Sequence, residues 1–256
     1  MNGNLKEGLR RFFPRAPVRH RIMSGPLRGR AIVTSWHDYP AAILGRTEPN
    51  LLEWFAKNAG KGETWLDIGA HYGYTSIALC NQVGTGGHVY AFEPMLNTAG
   101  CVSRTRYLNK LPQLTVVPVA LGNGADLAME SLLPLRGMID STRQDFNGLK
   151  EPFLVSRLDW LWPRISGPDA RIDGIKIDVQ GMEIQVLEGM TSLMKQYRPK
   201  LLVELHPGVS RPRFLEVIAS FGYQTRGIPL EPVPGESEPV YADRTYEFRP
   251  EDSPTS

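Results

Sequence analysis

From Thr64 onward, short apolar runs alternate with segments of helical period. Thr64–Ile68 reads as a buried strand and Tyr74–Val83 as the helix after it. His88–Phe92 is predicted as a second strand, ended by Glu93 and Pro94, with Leu96–Leu108 helical and Leu114–Val119 a third strand. Ile172–Val179 reads as a fourth strand, after which Val186, Leu187, Met190, Leu193 and Met194 recur at helical spacing. Lys200–Leu205 is a fifth strand, stopped by His206 and Pro207, and Phe214, Val217, Ile218 and Phe221 mark another helix. The stretch from Gly222 to Phe248 suits a final strand pair. Strand–helix alternation of this kind specifies an α/β fold, a parallel sheet covered on both faces.

Two regions depart from the pattern. Residues 122–171 are punctuated by Gly122, Gly124, Pro134, Gly137, Gly148, Pro152, Pro163, Gly167 and Pro168. An insertion at the C-terminal edge of such a sheet either covers a ligand crevice or simply connects. The first thirty residues carry Lys6, Arg10, Arg11, Arg15, Arg19, Arg21, Arg28 and Arg30 against one acid, Glu7. They are expected to form a solvated, partly ordered arm, the common fate of a charge run. The resulting division is a basic arm with a lid-like segment over residues 1–45, a main domain over 46–250, and a frayed tail over 251–256.

Composition narrows the class. A formal net charge of +2 gives no case for a nucleic-acid partner. Cys80 and Cys101 form no metal-spaced pair and read as free thiols, which points to the cytoplasm. No apolar run reaches the length of a membrane span, and the N-terminus has no signal-peptide stretch.

The candidate chemistry sits at strand ends. Asp67, Gly69, His71 and Gly73 follow the first strand in the spacing D-x-G-x-x-x-G, a turn that lets a ligand approach the backbone. This is not the G-x-G-x-x-G of a dinucleotide site, which argues against NAD. Glu93, at the end of the next strand, stands where nucleoside-binding α/β folds place an acid against the ribose hydroxyls, or alternatively caps the following helix. Ala120 and Leu121, after the third strand, fall where adenine would lie. On the fourth strand, alternation points Lys176 and Asp178 to one face, with Asp178 near the ligand-binding edge or serving as an N-cap. Glu183 reads best as a helix-dipole partner in the next helix.

These residues resemble the FkbM family of class I methyltransferases. The matching stretches are Leu66 to Tyr74, Ala91 to Pro94, Val117 to Leu121, Leu158 with Asp159, Lys176 to Glu183, Val186 to Gly189, Pro199, and Val203 with Glu204. The resemblance covers about residues 48–205. It implies a Rossmann-like three-layer sandwich whose seven-stranded sheet has the order 3-2-1-4-5-7-6 with the last strand antiparallel. It also implies S-adenosylmethionine as methyl donor and usually a hydroxyl as acceptor. On this basis Asp67, Gly69, His71, Gly73, Glu93, Pro94, Ala120, Leu121 and Asp178 are the expected cofactor residues. Thr47 and Glu48 are expected at the cofactor's methionine end. The family commonly has Asn where this chain has His71, and Glu where it has Gln180.

Methyl transfer from a sulfonium is an in-line displacement, so alignment supplies most of the rate. An alcohol acceptor also needs a base or a metal. Glu204 and His206 point the same way at the end of the fifth strand. The expected catalytic set is His206 as general base, with Glu204 or Asp178 orienting it. A divalent cation held by Asp178, Glu204 and His206 is the lower-ranked variant. The segment Ser35 to Pro40 is expected as a lid or, more readily, as packing at the sheet edge; Trp160 and Trp162 are expected in the core. The expected activity is O-methylation of a small molecule or sugar. Nitrogen methylation and a non-catalytic nucleoside-binding module are the alternatives.

Overall fold

A computed structural model of the chain describes residues 14–124, 126–131, 150–167, 170–232, 240 and 244–251. Lys6, Glu7, Arg10 and Arg11 of the expected arm, most of the insertion's middle, and residues 252–256 of the expected tail lie outside the described residues.

The chain opens with β1 (Val18–Arg21) and β2 (Ala31–Thr34), an antiparallel pair, followed by the short helices α1 (Pro40–Leu44) and α2 (Pro49–Asn58). Then come β3 (Thr64–Ile68), α3 (Tyr74–Val83), β4 (His88–Phe92), α4 (Leu96–Asn109) and β5 (Leu114–Val117). β6 (Ala120–Leu121) leads into the insertion, which contributes β7 (Asp126–Ser131), β8 (Lys150–Ser156) and α5 (Leu158–Ile165). The remainder is β9 (Gly174–Ile177), α6 (Glu183–Glu188), α7 (Thr191–Tyr197), β10 (Lys200–Leu205), α8 (Arg211–Ser220), β11 (Ile228–Pro229) and β12 (Arg244–Phe248).

The seven-stranded sheet runs β5-β4-β3-β9-β10-β12-β11, the arrangement the family resemblance implied. β5, β4, β3, β9 and β10 are parallel, and β12 is antiparallel to both its neighbours. Strand alternation sorts side chains between two cores. Leu66, Ile68, Ile175, Ile177, Leu201 and Val203 face a cluster with Phe214, Ile218 and Phe248, whereas Trp65, Val89, Ala91 and Leu202 face one with Leu52, Phe55, Ile77 and Leu79. Burying both faces explains why these strands read as apolar runs rather than alternating ones.

Several boundaries moved for local reasons. The third strand stops at Val117, because Pro118 has no N–H for the ladder; Ala120 and Leu121 then leave the large sheet and pair with β8 in a three-stranded one. The single helical period over 186–194 is split into α6 and α7 at Gly189. Asp159 accepts hydrogen bonds from the N–H groups of Ser192 and Leu193, supplying partners to the otherwise open first turn of α7.

The N-terminal segment is the main correction. Residues 18–45 do not stand off as an arm. β2 is buried along its whole length, Ile22 and Leu27 are buried, and the N–H of Val33 donates to Thr105 Oγ1 on α4. The arginine-rich edge of the hairpin, Arg19 and Arg21, is exposed while its apolar side packs inward, which the charge count concealed. Cys80 and Cys101 are buried free thiols. Among the described residues, no helix is long and apolar enough to cross a membrane.

Candidate active site

The turn after β3 is set by backbone geometry. Gly69 has φ 82°, and a Cβ there would lie 1.8 Å from the carbonyl oxygen of Asp178, so the turn and the end of β9 are in contact only because this residue is glycine. The N–H groups of Gly69 and Ala70 both donate to Phe92 O, 3.0 Å each, which docks the turn on the end of β4. His71 has φ 50°. Asn and His are among the few side chains enriched in that region, which accounts for the His that stands where the family commonly has Asn. Gly73, φ 81°, caps α3.

The carboxylate of Asp67 is fully buried, with Thr75 Oγ1 and Ser76 Oγ donating to it at 2.8 and 2.6 Å and Lys176 Nζ at 3.5 Å. Both hydroxyl bonds fall on Oδ2, which ties the end of β3 to the first turn of α3. Leu121 is a core residue, whereas Ala120 and Pro94 are half-buried.

Glu93 meets its expectation in position. Its Oε2 accepts the His71 N–H at 2.9 Å and its Oε1 the Met95 N–H at 3.1 Å, so one carboxylate joins the glycine turn to the start of α4. Burial pushes its pKa up to about 8 despite those two hydrogen bonds. Hydroxyl donors from a ribose are the partners that would favour its ionised form.

The segment Ser35 to Pro40 lies over this turn, not at the sheet edge. Asp38 Oδ2 accepts hydrogen bonds from Ser35 Oγ and from the Tyr72 hydroxyl, and the Tyr39 ring packs 5.0 Å from that of His71.

The second half of the site gathers at the ends of β9 and β10. Lys176, buried at 4 % exposure, donates to Gly69 O and to Asp178 Oδ2, both at 3.2 Å. Burial disfavours its charge, but Asp178 and Asp67 outweigh that and hold its pKa above the ordinary lysine value. His206 Nδ1 donates to Glu183 Oε1 at 2.7 Å, and Gln180 Nε2 donates to His206 Nε2 at 2.7 Å. Asp178 Oδ1 and Glu204 Oε1 lie 3.5 and 3.7 Å from that same Nε2. Burial lowers the basicity of His206, yet the Glu183 hydrogen bond and the charges of Asp178, Glu183 and Glu204 raise its pKa overall. Burial and the Asp178 charge push Glu204 up to about 7.

Asp178, Glu204 and His206 are therefore brought together as expected, but the residue that orients the imidazole is Glu183. No sequence signal pairs Glu183 with His206, which arrives from a strand 23 positions on. Thr47 bonds the Tyr39 hydroxyl, and Glu48 lines a cavity with Glu204. Trp162 is buried and donates to Ala170 O; Trp160, expected in the core, is 55 % exposed under the guanidinium of Arg164. The ligand atoms of Asp178, Glu204 and His206 lie within 4.8 Å of one another, close enough to share a cation.

Of the five non-glycine residues with positive φ among those described, Glu48, His71 and Gln180 belong to this site; the other two, Lys110 and Arg198, end helices. Glu48 immediately precedes α2, so His71 and Gln180 are the two held in that region away from helix ends, a placement characteristic of functional sites.

Comparison with known proteins agrees with this architecture. The hexuronic acid methyltransferase AglP of Haloferax volcanii is 25% identical over 178 residues, covering 64% of this chain and 64% of its own length. The crystal structure of methyltransferase FkbM from Methylobacillus flagellatus KT superposes with a TM-score of 0.50 at 16% identity, covering 82% of this chain and 52% of that one, and shows the same fold. The chain thus spans less than two thirds of the length of either relative. The model of the FkbM methyltransferase domain matches residues 67–225, from the aspartate before the glycine turn to beyond the last helix, and the chain belongs to that family.

Proposed function

We propose that this protein transfers the methyl group of S-adenosylmethionine to a hydroxyl of a small molecule or sugar. The observation that carries the reading is the position of Asp178. Its carbonyl lies against Gly69 in the nucleoside turn, while its carboxylate lies against His206, so one residue joins a cofactor cradle to a base. The residues fit the cofactor: Glu93 at the glycine turn is poised for the ribose, and the carboxylate of Asp178 suits a cationic methionine end. When bound, S-adenosylmethionine supplies an electrophilic methyl on a sulfonium. An acceptor hydroxyl beside that methyl would give up its proton on transfer, and His206 Nε2, with Asp178 and Glu204 at 3.5 and 3.7 Å, is the group placed to take it. Glu183 keeps Nδ1 protonated and the ring in place. That the Haloferax relative acts on a hexuronic acid supports a saccharide-type hydroxyl. Cytoplasmic placement is supported by the two buried free thiols.

Base catalysis is preferred to a cation at Asp178, Glu204 and His206. Lys176 already neutralises Asp178 at 3.2 Å, which leaves that carboxylate less charge to offer a cation. Calorimetric titration with S-adenosylmethionine and its demethylated product tests the cofactor, with Glu93→Ala expected to abolish binding. His206→Ala, assayed across pH with and without a chelator, tests the chemistry. Failure of the wild-type protein to bind either nucleoside would overturn the proposal, full activity of His206→Ala would remove the base, and inactivation by the chelator would favour the cation.

A further inference from the structure

We infer that the cavity between the start of α2 and the start of β12 is the acceptor subsite, and that it takes a single uncharged, polyhydroxylated ring rather than a uronic acid. The inference rests on the transfer reading above and adds the chemical class of acceptor.

Three observations carry it. The first is place. Glu204 belongs both to the base cluster and to the cavity wall. Because β12 runs antiparallel, its first residues return to the C-terminal edge of the parallel strands. Thr245 stands opposite Glu204 in register and donates to its Oε2 at 3.3 Å. Glu204 Oε1 lies 3.7 Å from the imidazole nitrogen, so this one side chain links the cavity wall to the base.

The second is size. The cavity holds about 240 Å³, below the roughly 300–1,000 Å³ of clefts that enclose drug-sized ligands. One ring fits, with the rest of a larger acceptor left outside.

The third is chemistry. Glu48, Glu204 and Glu231 line the cavity with Asn50 and Thr245, a set rich in partners for hydroxyl groups, while Leu51 and Leu230 offer apolar surface to a ring face. Arg244 is the one cation among the described residues of the wall, against three carboxylates, and its Nη1 donates to the Glu231 carbonyl oxygen at 3.4 Å. A carboxylate on the acceptor would meet like charge, whereas hydroxyls donate to the glutamates without adding any.

The test compares methyl glucoside, mannoside and galactoside with the corresponding methyl hexuronides, using the full chain with S-adenosylmethionine. The neutral glycosides are expected to exceed the hexuronides by about 100-fold in kcat/KM, and Glu231→Lys to narrow that ratio at least about tenfold. Hexuronides used equally well, an unchanged ratio in Glu231→Lys, or no turnover of either class by protein that binds S-adenosylmethionine overturns the inference and leaves the transfer reading standing. If the nucleoside does not bind, the transfer reading fails, and saturation-transfer NMR of the same glycosides on the chain alone decides the cavity: neutral glycosides binding in preference supports it, and any other result overturns it.

Discussion

The fully buried carboxylate of Glu183 accepts a 2.7 Å hydrogen bond from Nδ1 of His206, which turns Nε2 toward Asp178, Glu204 and Gln180. A histidine just past the end of β10 is thereby fixed in one tautomer by an acid at the first position of α6. Charge and hydrogen bond together raise its pKa against the effect of burial.

Glu183→Gln keeps an acceptor oxygen for Nδ1 and removes the charge. A general base works deprotonated, so activity fails as pH falls through its pKa. Lowering that pKa moves the acid limb of the pH–rate profile to lower pH, and loss of the charge that stabilises the imidazolium lowers kcat about 100-fold. An acid limb left where it is in the wild type would show that His206 is not the titrating base.

Stability should fall as pH rises. Glu93 at about 8, Glu204 at about 7 and His206 all have folded pKa values raised above their unfolded ones, from 4.5 for the two glutamates. The folded chain then holds protons that the unfolded chain has released, so the contribution is complete below the unfolded values and is lost as pH passes the folded ones. Asp178, whose pKa is lowered by Lys176 and His206 against burial, acts oppositely and only on acidification below its ordinary range. The Tm of the ligand-free chain is expected to drop steadily between about pH 5.5 and pH 9, and Glu93→Ala to flatten the slope. A Tm that climbs over that interval contradicts the assignment.

Gln180 is held at φ 56° in the middle of the site. Gln180→Gly removes the strain of a side chain in the left-handed region, worth about 1 kcal/mol, but also the amide that faces His206. Denaturant unfolding is expected to show equal or greater stability while turnover falls. Loss of stability and activity together would mean that the amide holds the fold.

Gly69→Ala addresses the contact between the turn and β9. Its methyl would overlap the Asp178 carbonyl at 1.8 Å, and the backbone is held at φ 82°. The expected cost is about 3 kcal/mol or more, with S-adenosylmethionine binding lost even where the chain still folds. Unchanged affinity would show that the turn does not touch the ligand.

The strands β3, β4 and β10 were legible to the residue, because doubly buried parallel strands leave uninterrupted apolar runs bounded by glycine, proline and acids. Glu93 and the glycine turn were legible for the same reason: strand ends are local features. The surroundings of Asp67 were not legible, because sequence shows that a carboxylate is present and not which way it points; Thr75 and Ser76, in the first turn of α3, bind it from eight and nine positions on. The hairpin at residues 18–34 was read as an arm because its arginines dominate the charge pattern, while Ile22, Leu27, Ile32 and Val33 are buried and the Val33 N–H bonds Thr105 of α4.

Local order, with its periods of two and 3.6 residues and its glycine positions, determined the sheet, its turn and the family from sequence alone. Tertiary structure alone decided which acid holds His206, that Lys176 balances Asp67 and Asp178, and that Glu48 shares a cavity wall with Glu204 across more than 150 residues. Those pairings join side chains from separate strands and helices at distances of a few ångströms, and no spacing along a chain encodes a direction in space.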